Sequence, residues 1–138
     1  MNPTLSLREA TVQDIQLELL RRTQHNALDG ERVISSLLRH RDLWWAALLD
    51  RPGVPNYAEP SHLLTMGLIR LRDLPYNDWN ADTLYLLTKT SAQAAQLAKL
   101  IEQEDWGGEV YLHDDRQEID RALGTGRDDY GLVSVWWD

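Results

Sequence analysis

The chain has 138 residues, 43% of them apolar and 26% charged, which is the size and balance of one folded domain able to bury a single core. It contains no cysteine, so disulfides, thiolate metal sites and cysteine nucleophiles are excluded. The formal charge of −8 disfavours nucleic acid, whose phosphates attract clustered Lys and Arg, and favours basic partners.

No apolar run is long enough to cross a bilayer, and no membrane association is expected. The stretch from Met1 to Ser6 has neither a basic leader nor an apolar core of the secretory kind, so the expected location is the cytoplasm. The aromatic complement is six tryptophans, five tyrosines and no phenylalanine, so any buried ring must find a partner for its N–H or O–H.

Taken in order, Val12, Ile15, Leu19 and Leu20 recur at helical spacing and predict a helix from Leu7 to Gln24, with Thr11 or Ser6 as cap. The run His25-Asn26-Ala27-Leu28-Asp29-Gly30 breaks it. Ile34, Leu37, Leu38, Arg41, Trp45, Leu48 and Leu49 then predict a second helix over Glu31 to Asp50, packed on the first as a hairpin. In that helix Trp45 belongs to the leucine stripe and Trp44 lies beside it or outside.

Three prolines between Arg51 and Pro60 predict an irregular loop, followed by a short turn from Ser61 to Leu64. Alternation in Leu68-Ile69-Arg70-Leu71-Arg72 predicts a strand over Met66 to Leu74, and Pro75 to Asp82 reads as a polar turn. The stretch from Thr83 to His113 reads as strand, helix, strand. Leu84 to Leu87 form a strand covered on both faces. Ser91 caps a helix over Ala92 to Glu104 with Ala94, Leu97, Ala98 and Ile101 on one stripe, and Val110 to His113 resume as a strand. Such a connection usually joins parallel neighbours.

Asp114 is then expected to cap a short helix, with Gln117 completing a capping box and Gly124 ending it, and Gly131 to Trp137 form the last strand. The expected fold is α+β, with a mixed α/β arrangement as the variant. A single domain is expected over residues 1–138, helical over residues 1–60 and sheet-containing over residues 61–138. A helical hairpin packs on a sheet of about four strands in the order α-α-β-β-α-β-α-β, with the β-α-β unit at 83–113.

No catalytic residue, metal ligand set or cofactor motif emerges. His113, Asp114 and Asp115 follow a strand, where open α/β sheets place ligands, yet capping by Asp114 and a favourable dipole contact by Asp115 account for both acids. Lys89, Thr90 and Ser91 offer a weak anion perch at a helix start but lack the glycines of a P-loop, and capping by Ser91 is the simpler role. The histidines show no metal-ligand spacing and no close carboxylate partner besides the His113 cluster.

What stands out is an acidic, glycine-rich end with aromatic residues: Asp114, Asp115, Asp128, Asp129, Tyr130 and Trp137 compose a candidate surface for a basic protein. Its bulk properties are those of small inhibitors and immunity proteins. The alternative is a small-molecule or metal-binding enzyme or sensor using Lys89, His113 and Asp115; binding without catalysis is favoured. A homodimer through an apolar final strand is a further expectation.

Overall fold

A computed structural model describes residues 4–50, 71–79, 81–124 and 129–138. Helix α1 (Val12–Arg22) opens on Thr11, whose hydroxyl accepts from the Asp14 amide while the Asp14 carboxylate accepts from the Thr11 amide, a complete capping box. The break after it is a miniature hairpin, β1 (Gln24–His25) against β2 (Leu28–Asp29), turned by Asn26 in the left-handed region at φ 54°. Helix α2 (Gly30–Arg39) follows with Asp29 as its cap. A side chain at Gly30 would collide with the Leu20 carbonyl, so glycine is what lets α2 start against the end of α1.

The second helix is shorter than expected. It stops at Arg39, a 3-10 turn covers Arg41–Leu43, and Ala46–Asp50 form strand β3. The apolar run Trp44 to Leu49 satisfies both helical and strand periods, and tertiary bonds decide between them. The Trp44 indole donates to the Leu37 carbonyl at 2.8 Å, and the Trp45 amide donates to Leu87 O across the sheet at 2.7 Å. The sides of the tryptophan pair are thereby exchanged: Trp44 is buried and Trp45 is 46% exposed.

The expected strand over Met66 to Leu74 is not found where it can be checked. Residues 66–70 lie outside the described residues, as do the loop from Arg51 to Pro60 and the turn from Ser61 to Leu64. Residues 71–73 are helical and Leu74–Tyr76 form a 3-10 turn. The first strand of the expected order is supplied by Ala46–Asp50 instead.

The rest of the sheet is β4 (Thr83–Thr88), β5 (Glu109–His113) and β6 (Gly131–Trp136). Helix α3 (Ser91–Glu104) joins β4 to β5, and α4 (Arg116–Leu123) precedes β6, ended by Gly124 at φ 68°. The four strands lie in the order β3-β4-β6-β5, every neighbouring pair antiparallel. Since β4 and β5 both run against β6, they are parallel to each other, but the last strand is inserted between them. The final strand is therefore interior and not an edge, which removes the expected route to a homodimer through it.

Ala47, Leu49, Leu84, Leu86, Val133 and Val135 form one sheet face and are buried with Leu17 and Leu20 of α1, Val33 and Leu37 of α2, and Ala94, Leu97, Ala98 and Ile101 of α3. Trp137 is wholly enclosed in this core. Its indole donates to Trp106 O at 2.9 Å and its amide donates to Asp82 O at 3.0 Å. Among the described residues no helix is long and apolar enough to cross a membrane.

Candidate functional site

The register places the start of β3, the end of β4, the start of β6 and the end of β5 at one end of the sheet: Ala46 pairs with Leu87, Thr88 with Gly131, and His113 with Leu132. Residues adjoining these strand ends are gathered there. They are Trp45 before β3, Lys89 to Ser91 after β4, Asp114 and Asp115 after β5, and Asp129 and Tyr130 before β6. Strand order brings together candidates that sequence separation kept apart.

The Trp45 and Tyr130 rings lie 5.3 Å apart at 39°, and the Lys89 ammonium sits 5.9 Å from the Trp45 ring centre. Trp45 is held by its backbone: besides the amide bond to Leu87, Arg41 donates to the carbonyl of Trp44 at 2.7 Å and reaches that of Trp45 at 3.5 Å. The Arg41 guanidinium also stacks 3.9 Å over the buried Trp44 ring. An exposed ring presented by a fixed backbone loses little entropy on docking. Between Arg41, Asp42, Trp45, Lys89 and Gln93 lies a cleft of about 310 Å³.

Asp129 stands out from the surface, its side chain 80% exposed, with Ser91 Oγ donating to it at 3.4 Å and Arg116 Nη1 forming an ion pair with it at 3.7 Å. Arg116 also donates to the Tyr130 carbonyl at 2.7 Å, tying this loop to α4. The cap of α4 is Asp115, not Asp114: Asp115 Oδ1 accepts from the amides of Gln117 and Glu118, which leaves Asp114 exposed beside it. The cap of α3 is likewise Thr90, not Ser91, with the Gln93 amide donating to its hydroxyl and the Gln93 side chain accepting from the Lys89 amide. The hydroxyls of the anion perch are thus engaged within the chain.

One candidate falls elsewhere. Trp137, buried in the core, has no surface to offer a partner. Asp128 lies outside the described residues. His113 pairs with Ser134 Oγ at 2.8 Å across the strands and not with Asp114 or Asp115. Among the described residues no group of three or more His, Cys, Asp or Glu could hold a metal ion.

A second polar cluster had no sequence signal, because its bonded members are up to 72 residues apart. Glu104 at the end of α3 accepts from Ser36 Oγ, pairs with His40 Nε2 at 2.8 Å and accepts from Arg39 at 3.3 Å, while its carbonyl accepts from Arg32 at 3.1 Å. The Trp106 indole donates to Ser36 Oγ at 2.9 Å. The hydrogen bond from Ser36, with smaller contributions from the His40 hydrogen bond and the Arg39 charge, holds the Glu104 carboxyl below the ordinary carboxylate range against the opposing effect of burial. The carboxylate lies between hydroxyl and imidazole, whereas a hydrolytic triad needs the imidazole between hydroxyl and carboxylate. The cluster clamps α2 to α3.

No protein-family model, curated protein or solved structure matches the chain.

Proposed function

We propose that this chain is a small, acidic, cytoplasmic protein-binding domain of the inhibitor or immunity type, which engages a basic partner through the sheet end formed by Trp45, Tyr130, Asp114, Asp115 and Asp129. The observation that carries this reading is the Trp45–Tyr130 pair, in which an exposed indole on a fixed backbone rests on a half-buried tyrosine ring bordered by carboxylates. Aromatic anchors with a charged rim are the usual composition of a binding hot spot, and the net charge of −8 attracts a cationic protein over distance. Relative to the residues expected from sequence, Trp45 takes the place of Trp137. Lys89 and Arg41 flank the aromatic pair, so the partner surface would carry a carboxylate or a polar group facing them beside its basic residues.

The test is affinity capture on the immobilised chain, followed by binding measurements on the recovered protein. The expected partner is basic, its association rate falls as salt rises, and Trp45→Ala weakens affinity by about tenfold or more. Retained affinity in Trp45→Ala together with indifference to salt would overturn the proposal.

A further inference from the structure

The two edges of the sheet are treated differently. At β3, α1 occupies the outer edge: the Gln13 carboxamide donates to Ala47 O at 2.9 Å and accepts from Ala47 N at 2.8 Å, and Gln16 Oε1 accepts from Leu49 N at 3.3 Å. Two glutamine side chains there stand in for a neighbouring strand. At β5, among the described residues, nothing hydrogen-bonds to the outer backbone; its side-chain bonds are Tyr111 to Glu109 and His113 to Ser134. The strand is five residues long, carries no lysine or proline to block pairing, and leaves Tyr111 53% and Leu112 43% exposed. An edge of that kind pairs readily with another strand.

The sequence of β5 also indicates which strand. Set antiparallel to itself about Tyr111, Glu109-Val110-Tyr111-Leu112-His113 places Glu109 opposite His113, Val110 opposite Leu112 and Tyr111 opposite Tyr111. Acid meets imidazole, aliphatic meets aliphatic, and ring meets ring, and each such cross-strand pair is favourable. Alternation keeps Glu109, Tyr111 and His113 on one face and Val110 and Leu112 on the other in both copies. We infer that a second copy of this chain docks along β5, with the two-fold axis at Tyr111, to make a continuous eight-stranded sheet ordered β3-β4-β6-β5-β5-β6-β4-β3. This interface runs along the side of the sheet and does not depend on the partner reading of its end.

The absence of cysteine allows a direct test on the full chain. Residues facing each other across an antiparallel pair have Cα atoms about 4.5–5.5 Å apart, within disulfide reach. Tyr111→Cys is expected to oxidise rapidly to a covalent dimer, whereas Ala92→Cys on the exposed side of α3 crosslinks slowly. In sedimentation, the unmodified chain is expected to be a dimer. Tyr111→Lys, which sets two lysines against each other, and Glu109→Lys, which sets lysine against His113, should each raise the dissociation constant about tenfold or more, and Glu109→Lys/His113→Glu should restore it. Circular dichroism checks that each variant is folded. A monomer at every concentration, a dimer indifferent to Tyr111→Lys, or crosslinking of Tyr111→Cys no faster than of Ala92→Cys overturns the inference. If Tyr111→Lys does not fold, the comparison of the two cysteine variants decides alone.

Discussion

Replacing Trp137 by alanine separates its two readings, a core residue or a contact for a partner. Its side chain is fully buried, and its indole N–H is bonded to the Trp106 carbonyl at 2.9 Å. Removing a large buried aromatic costs about 3–5 kcal/mol through lost burial and the cavity left behind. Leaving the Trp106 carbonyl unpaired adds about 1 kcal/mol or more. The expected loss of about 4–6 kcal/mol is a large fraction of the ~5–15 kcal/mol that holds a domain together. Trp137→Phe keeps most of the ring and loses the donor, so its expected cost is smaller, about 1–3 kcal/mol. Urea unfolding followed by far-UV circular dichroism gives both values from the shift in midpoint. A loss below about 1 kcal/mol for Trp137→Ala would refute the placement of this residue, since a ring at the surface costs little to remove.

Two further outcomes follow from the same structure. Gln13→Ala uncovers the β3 edge and removes two hydrogen bonds, so stability should fall by about 1–2 kcal/mol in urea unfolding and light scattering should show increased self-association. The Glu104 carboxyl titrates below its ordinary value in the folded chain, so its contribution is fully present above the unfolded value of 4.5 and is lost as pH falls through the folded value. Glu18, brought down to about 2 by hydrogen bonding to Arg21, acts in the same sense. Thermal melts should therefore show falling stability from about pH 5 down to pH 2, and Glu104→Gln should lower stability at neutral pH and flatten that dependence. An unchanged slope in Glu104→Gln would count against the clamp.

Local signals were legible where a residue's role depends on near neighbours. The stripe Ala94, Leu97, Ala98 and Ile101, the Thr11 cap and the Gly124 stop are all found as the spacing predicts. Caps at Thr90 and Asp115 differ by one position from Ser91 and Asp114, because adjacent hydroxyls or carboxylates are interchangeable to a pattern but not to the backbone. The run Trp44 to Leu49 was ambiguous because six consecutive apolar residues fit either period, and the choice rests on bonds to Leu37 and Leu87 that no local window contains.

The candidate site was only partly legible. Asp114, Asp115, Asp129 and Tyr130 adjoin one end of the sheet because they flank recognisable elements, whereas the sequence pattern places Trp45 on a helical stripe and Trp137 at the surface. Insertion of β6 between β4 and β5 reverses the second assignment: Trp137, which directly follows this interior strand, is carried into the core. The pairing of His40 with Glu104 joins residues 64 apart and could be seen only once α2 and α3 were packed together.

The most direct test of the proposed function compares Trp45→Ala with Trp137→Phe in binding to the basic protein recovered by capture. Trp45→Ala is expected to keep its stability and lose about tenfold or more in affinity, while Trp137→Phe loses stability and, at a temperature where it remains folded, binds as tightly as the unmodified chain. Full affinity in Trp45→Ala with a loss confined to Trp137→Phe would contradict the proposal.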